Sequence, residues 1–162
     1  MKKYIEAEAS EHEMKLVQMG AKVEQINGKA CYVKFKVDNV SVEYVYNINT
    51  KGKYFLERIK PYPLPMREFE NEADVVEIIG IDIRQFRNAV KSKCIDTFIG
   101  INKELNMTIK AFEDLFLYYK VPPIKAEIIM GKIKEIQNEI KETQKISERV
   151  FFEKEPDHLP LV

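Results

Sequence analysis

Few side chains in this sequence could do chemistry, and they are scattered. Of its two histidines, His158 lies in the C-terminal tail, and His12 lies in the expected first helix with a carboxylate, Glu8, four residues before it. Such a pair shares a helix face and could offer two ligands to a metal, but two ligands do not complete a site, and a solvated polar face has the same pattern. Cys31 and Cys94 are isolated, with no Cys-x-x-Cys spacing, which fits a reducing compartment and argues against a zinc cluster or a disulfide framework. Their neighbours suggest core thiols rather than nucleophiles: Cys31 shares strand parity with Val33, Phe35 and Val37, and Cys94 continues the stripe Ile83, Phe86, Val90. Carboxylates crowd the stretch from Glu68 to Glu77, yet acid-base chemistry needs a pair shifted by burial in a cleft, and a dense acidic run reads as a solvated face. All six glycines are isolated, so no phosphate-cradling loop can be assembled. No catalytic residue, metal or cofactor is assigned, and the expected protein is non-catalytic.

The most specific pattern lies between Glu72 and Lys93. Val76 is a compact apolar residue, Ile79-Gly80-Ile81 is an apolar-glycine-apolar turn, and Asp82 can cap a second helix with Gln85 as its reciprocal partner. Phe86, Ala89 and Val90 then fall at packing positions. This layout resembles a helix-turn-helix of the phage-repressor type. The resemblance implies that Arg84, Gln85, Arg87, Asn88 and Lys91 project from the second helix, where Arg, Gln and Asn can bond base edges of DNA. Two departures stand beside it: Phe86 is bulkier than the usual aliphatic, and the acidic residues from Glu68 to Glu77 would have to approach phosphates. Two antiparallel core helices joined by a glycine turn give the same pattern. A second basic surface arises if Tyr32, Lys34 and Lys36 share a sheet face with Tyr54 and Arg58, which would offer rings and cations to a single strand.

The elements that must position these residues follow from periodicity. Ser10 and Glu13 have capping-box spacing and Gly20 suits a helix end, which predicts a helix from about Glu11 to Met19. Asn27-Gly28 predicts a hairpin between Lys22–Ile26 and Ala30–Val37, and Asp38-Asn39 a second turn into Val40–Ile48. Thr50-Lys51-Gly52 leads into Tyr54–Ile59, giving four antiparallel strands with the first helix on one face. Pro61, Pro63 and Pro65 remove three ladder donors and should end the sheet. After Pro65 the apolar period changes from two to about 3.6, with stripes at Ile83, Phe86, Val90, Cys94 and at Ile109, Phe112, Leu115, Phe116, Tyr119. Pro122-Pro123 opens a last long helix running to about Val150.

The expected class is α+β: an N-terminal helix with a four-stranded antiparallel meander, then a C-terminal helical bundle with one long final helix. Residues 1–65 form the sheet lobe, 66–152 the helical lobe sharing its core, and 153–162 a tail of little intrinsic order. The 162 residues carry 26 basic and 26 acidic groups, so no global field draws the chain to nucleic acid or anionic lipid. No stretch is apolar enough to span a membrane and no apolar signal core follows Lys2-Lys3, which predicts a cytoplasmic protein. Ile129, Ile133, Ile136 and Ile140 recur at steps of four, three and four, the spacing of a coiled-coil seam. Thr143 and Ser147 then make the seam polar while Ile124, Ile128 and Ile146 widen the stripe, which equally suits a core face packed inside the monomer. The functional expectation is an adaptor or regulator acting on a protein partner or on itself as a homodimer through this seam, with DNA binding through 72–93 as the alternative.

Overall fold

The computed structural model describes residues 11, 13–23, 28–49 and 52–159. Within them the chain is α+β: a short N-terminal helix, one four-stranded antiparallel sheet and three further helices. Helix α1 spans residues 13–18 and ends as expected: Gly20 takes φ 94°, with its N–H donating to the Val17 carbonyl and that of Ala21 to Leu16. This is a Schellman end, which a left-handed glycine permits. The Ser10 cap and the Glu8–His12 pair lie outside the described residues.

The strands are β1 (Gly28–Val37), β2 (Val40–Asn49), β3 (Tyr54–Lys60) and β4 (Arg67–Phe69), each paired with the next. Asp38-Asn39 makes the tight β1–β2 turn, Asp38 at φ 51° and Val37 opposite Val40. Gly52 leads into β3 at φ 74°. Two expectations are corrected. Gly28 is the first residue of β1, paired with Asn49, and residues 21–23 are not strand; residues 24–27, with Asn27 of the expected turn, lie outside the described residues. Nor does the sheet end at the prolines: Tyr62 tucks into the core, and the chain returns as β4, with Phe69 opposite Tyr54.

The core forms between one face of the sheet and helix α2 (Glu72–Ala89). Val42, Tyr44 and Leu56 from the strands meet Val75, Ile79, Ile83 and Phe86, which recur on one side of α2 at steps of four, four and three. The helix expected to cover the sheet is α1, but its Met14, Leu16 and Val17 are exposed and α2 takes that role. Cys31 and Cys94 are free and exposed, not core thiols. Burial along β1 is concentrated at its Val37 end, and Cys94 stands at the N-cap of the next helix, beyond the reach of α2.

Helices α3 (Ile95–Tyr118) and α4 (Pro123–Ile146) each have 24 residues, hence a length of about 36 Å. The Phe98 ring near the start of α3 lies 5.6 Å from Tyr62 of the core. Past α4, the Val150 carbonyl accepts from Asn88 Nδ2 at 3.1 Å on α2. Two rods of equal length, joined by residues 119–122, thus leave the body and return to it. They form an out-and-back arm. Among the described residues, no helix is long and apolar enough to cross a membrane.

Candidate functional site

The segment 72–93 is not a helix-turn-helix. Residues Glu72–Ala89 form one unbroken α-helix, capped by Asn71, whose side chain accepts from the Asp74 N–H at 2.9 Å. Gly80 is inside the helix and Asp82 caps nothing. The physical reason is the stripe Val75, Ile79, Ile83, Phe86: it keeps one register through Gly80, and a turn there would take half of it off the sheet. A mid-helix glycine costs only about 1 kcal/mol, less than exposing even one of those side chains.

The five residues assigned to DNA are therefore placed differently. Arg84 Nε pairs with Glu153 at 2.5 Å, Asn88 holds the Val150 carbonyl, and Gln85 lines a cavity over the sheet. Arg87 and Lys91 are exposed, with Lys91 beyond the end of α2. Residues 147–159 run back along this side of α2, adding an Arg67–Asp157 contact at 3.5 Å and Arg149–Glu155 pairs at 2.9 and 3.0 Å. Carboxylates of the chain's own C-terminal segment thus lie against the basic side of α2. The expected basic sheet surface also separates: Arg58 pairs with Tyr44 across the ladder while Tyr32 pairs with Val45, so Tyr54 and Arg58 face α2 and Tyr32, Lys34 and Lys36 face away.

The charged centre that does form is between β3 and α2. Arg58, with its side chain 5% exposed, donates from Nη1 to both oxygens of Asp82 at 2.8 Å, and Tyr44 donates to the same carboxylate at 2.5 Å. Its guanidinium lies 4.6 Å from the Tyr62 ring centre and 4.9 Å from that of Phe86. These π faces attract the cation, although buried Nε has no hydrogen-bond acceptor. Burial, reinforced by the Asp82 carboxylate, pushes the Tyr44 hydroxyl far above its ordinary pKa, and burial raises that of Tyr62. Both hydroxyls are thus neutral at physiological pH, and that of Tyr44 is the donor to Asp82. Tyr44, Arg58 and Asp82 line the cavity with Leu56, Leu64, Ile78 and Ile81, and residues 154–157 form its outer wall.

On the opposite sheet face Glu43 is buried, 1% exposed, accepting from Tyr32, from Ser41 at 2.8 Å and from Lys60 at 3.1 Å. Hydrogen bonds from Tyr32 and then Ser41 hold its pKa down to about 2. Sequence reasoning passed over both centres. The signal for the first was an arginine at the core parity of Leu56 and an aspartate beside Ile83, opposite charges at the edge of two apolar stripes. Among the described residues no cluster of three metal-ligating side chains exists.

The self-association residues are in α4. Ile129 is half-buried, and Ile133, Ile136 and Ile140 are 42–49% exposed. Neither α3 nor α4 contains a buried residue. On α3, Leu105, Ile109, Phe112 and Phe116 are open as well, the last two rings in contact at 4.9 Å. The two arm helices thus leave each other's apolar faces uncovered. No protein-family model, curated protein or solved structure matches the chain.

Proposed function

We propose that the protein is a non-catalytic cytoplasmic interaction module, an adaptor or regulator whose sheet-and-α2 body carries the α3–α4 arm as its docking element. The observation that carries this reading is that none of the 48 residues in the two arm helices is fully buried. Helices in water owe most of their stability to the packing of an apolar face, and large apolar side chains left exposed along both helices are the kind of surface that a protein contact covers. The charged groups around the cavity support a structural role for it, since Arg58, Arg67 and Lys154 are each paired with a carboxylate of the same chain. The two exposed free thiols suit a reducing compartment.

The test is amide hydrogen exchange with parallel anilinonaphthalene sulfonate fluorescence, on the full chain diluted until light scattering gives a monomer. In that state α3 and α4 should exchange much faster than α2 and the sheet, and the arm should bind the dye. Arm amides protected as strongly as those of α2, without dye binding, would mean that the arm closes on its own body, and the reading fails.

A further inference from the structure

We infer that the occupant of the arm is a second copy of this chain, two arms joining into one four-helix bundle; the inference rests on the arm being an interaction surface. Its basis is a heptad spacing of seam residues on both helices, over residues 98–116 of α3 and 129–140 of α4. On α3, Phe98, Asn102, Leu105, Ile109, Phe112 and Phe116 follow one another at alternating steps of four and three. On α4, Ile129, Ile133, Ile136 and Ile140 do the same. Each helix therefore carries a seam of the kind that packs knobs into holes against other helices.

The residue types on the seams indicate how many helices meet. Isoleucine occupies both alternating seam positions over the middle of α4, a choice that disfavours two-stranded coils and favours three or four strands. One chain supplies two helices, so two chains supply four. The α3 seam contains a single polar residue, Asn102, at the position where an asparagine fixes register and strand number at some cost in stability. It is half-buried, its Nδ2 donating to the Phe98 carbonyl at 2.9 Å. Its side-chain oxygen is left to accept a bond across the bundle.

Area and charge point to the same occupant. Phe98, Leu105, Ile109, Phe112 and Phe116 on α3 and Ile133, Ile136 and Ile140 on α4 are 41–67% exposed. Eight side chains of this size, about half open, offer about 700–800 Å² per copy, close to the ~800 Å² per partner of a standard stable interface. Helix α3 has two lysines against four carboxylates, a net −2, and α4 has five lysines against four glutamates, a net +1. In a two-fold assembly that sets α3 of one copy beside α4 of the other, each contact joins opposite net charges, and the same patch serves both copies.

Light scattering on the wild-type chain over a concentration series tests this without a variant. The expected result is twice the 19.0 kDa chain mass at tens of micromolar, falling toward the chain mass on dilution. Phe112→Ser with Ile136→Ser should remain at the chain mass throughout, with the circular dichroism of the sheet retained. A wild-type monomer at hundreds of micromolar with a dye-binding, fast-exchanging arm would overturn the second copy as occupant while leaving the interaction module standing. A wild-type monomer whose arm is protected would overturn both. A dimer that the double substitution leaves intact, or an assembly of some other number of chains, would also overturn the inference.

Discussion

Replacing Gly80 with alanine distinguishes one continuous α2 from two helices meeting at a turn, because the two arrangements predict opposite signs. In a helix interior, alanine is more stable than glycine by about 0.5–1 kcal/mol, since the unfolded glycine has more freedom to lose. The added Cβ would meet a single neighbour, Arg84 Nη1, at 3.3 Å. That atom is the far end of a flexible side chain, 45% exposed and paired with Glu153, and a shift of a few tenths of an ångström relieves the contact. The most it can lose is a surface ion pair, worth between zero and about 1 kcal/mol. The net expectation is a gain of about 0.5 kcal/mol, seen as a rise of about 1–2 °C in the thermal midpoint for a chain of this size. Urea unfolding by circular dichroism measures it directly, with an unchanged slope. A loss of about 1 kcal/mol or more would mean that Gly80 needs a left-handed backbone, and the continuous helix would be refuted. The same substitution in an Arg84→Ala background removes the one contact in question, so a loss that persists there cannot be ascribed to crowding.

Asp82→Ala should cost about 3–5 kcal/mol, because it leaves Arg58 buried and unpaired; Arg58→Met with Asp82→Leu should recover most of that, and a single variant within about 1 kcal/mol of wild type would deny the pair its place in the core. Glu43 is held from its ordinary 4.5 down to about 2, so its contribution is fully present above pH 4.5 and is lost as pH falls toward 2. Thermal midpoints between pH 5.5 and 2.5 should therefore drop more steeply for wild type than for Glu43→Gln, and equal slopes would contradict the assignment. Asn71→Ala removes the cap on α2 and should lower stability by about 1 kcal/mol, with no change expected from Asn106→Ala on exposed α3 beyond a few tenths.

What the sequence could reveal depended on how local the cause was. The β2 strand was legible because Val40, Val42, Tyr44, Tyr46 and Ile48 alternate with Ser41, Glu43 and Asn47, an alternation that Val45 breaks only once, and the Asp38-Asn39 turn because its backbone demand falls on two adjacent residues. The α4 isoleucines were legible by spacing alone. Gly80 misled because a glycine between apolar residues is compatible with a turn or with a helix, and the choice rests with the sheet surface that α2 covers. The Arg58–Asp82 pair joins residues 24 apart on different elements, and β4 lies behind three prolines in only three residues. In neither case does the local pattern contain the partner. Half of the α3 seam was visible, from Ile109 onward, but Asn102 interrupts the apolar pattern and hid its continuation to Phe98.

The arm is fastened to α2 and its neighbourhood at both ends, by Phe98 against Tyr62 and by residues 150–153 against Asn88 and Arg84. A protrusion tied down in this way has a span that is independent of the body that bears it. Seven residues added to each helix would preserve both seams and both attachment points while moving the tip outward by about 10 Å. Seven added to one helix alone would leave the two lengths unequal and pull the far end off its mooring. Matched insertions, therefore, are the changes in length that this architecture can absorb, and the distance from tip to sheet is set in steps of two turns.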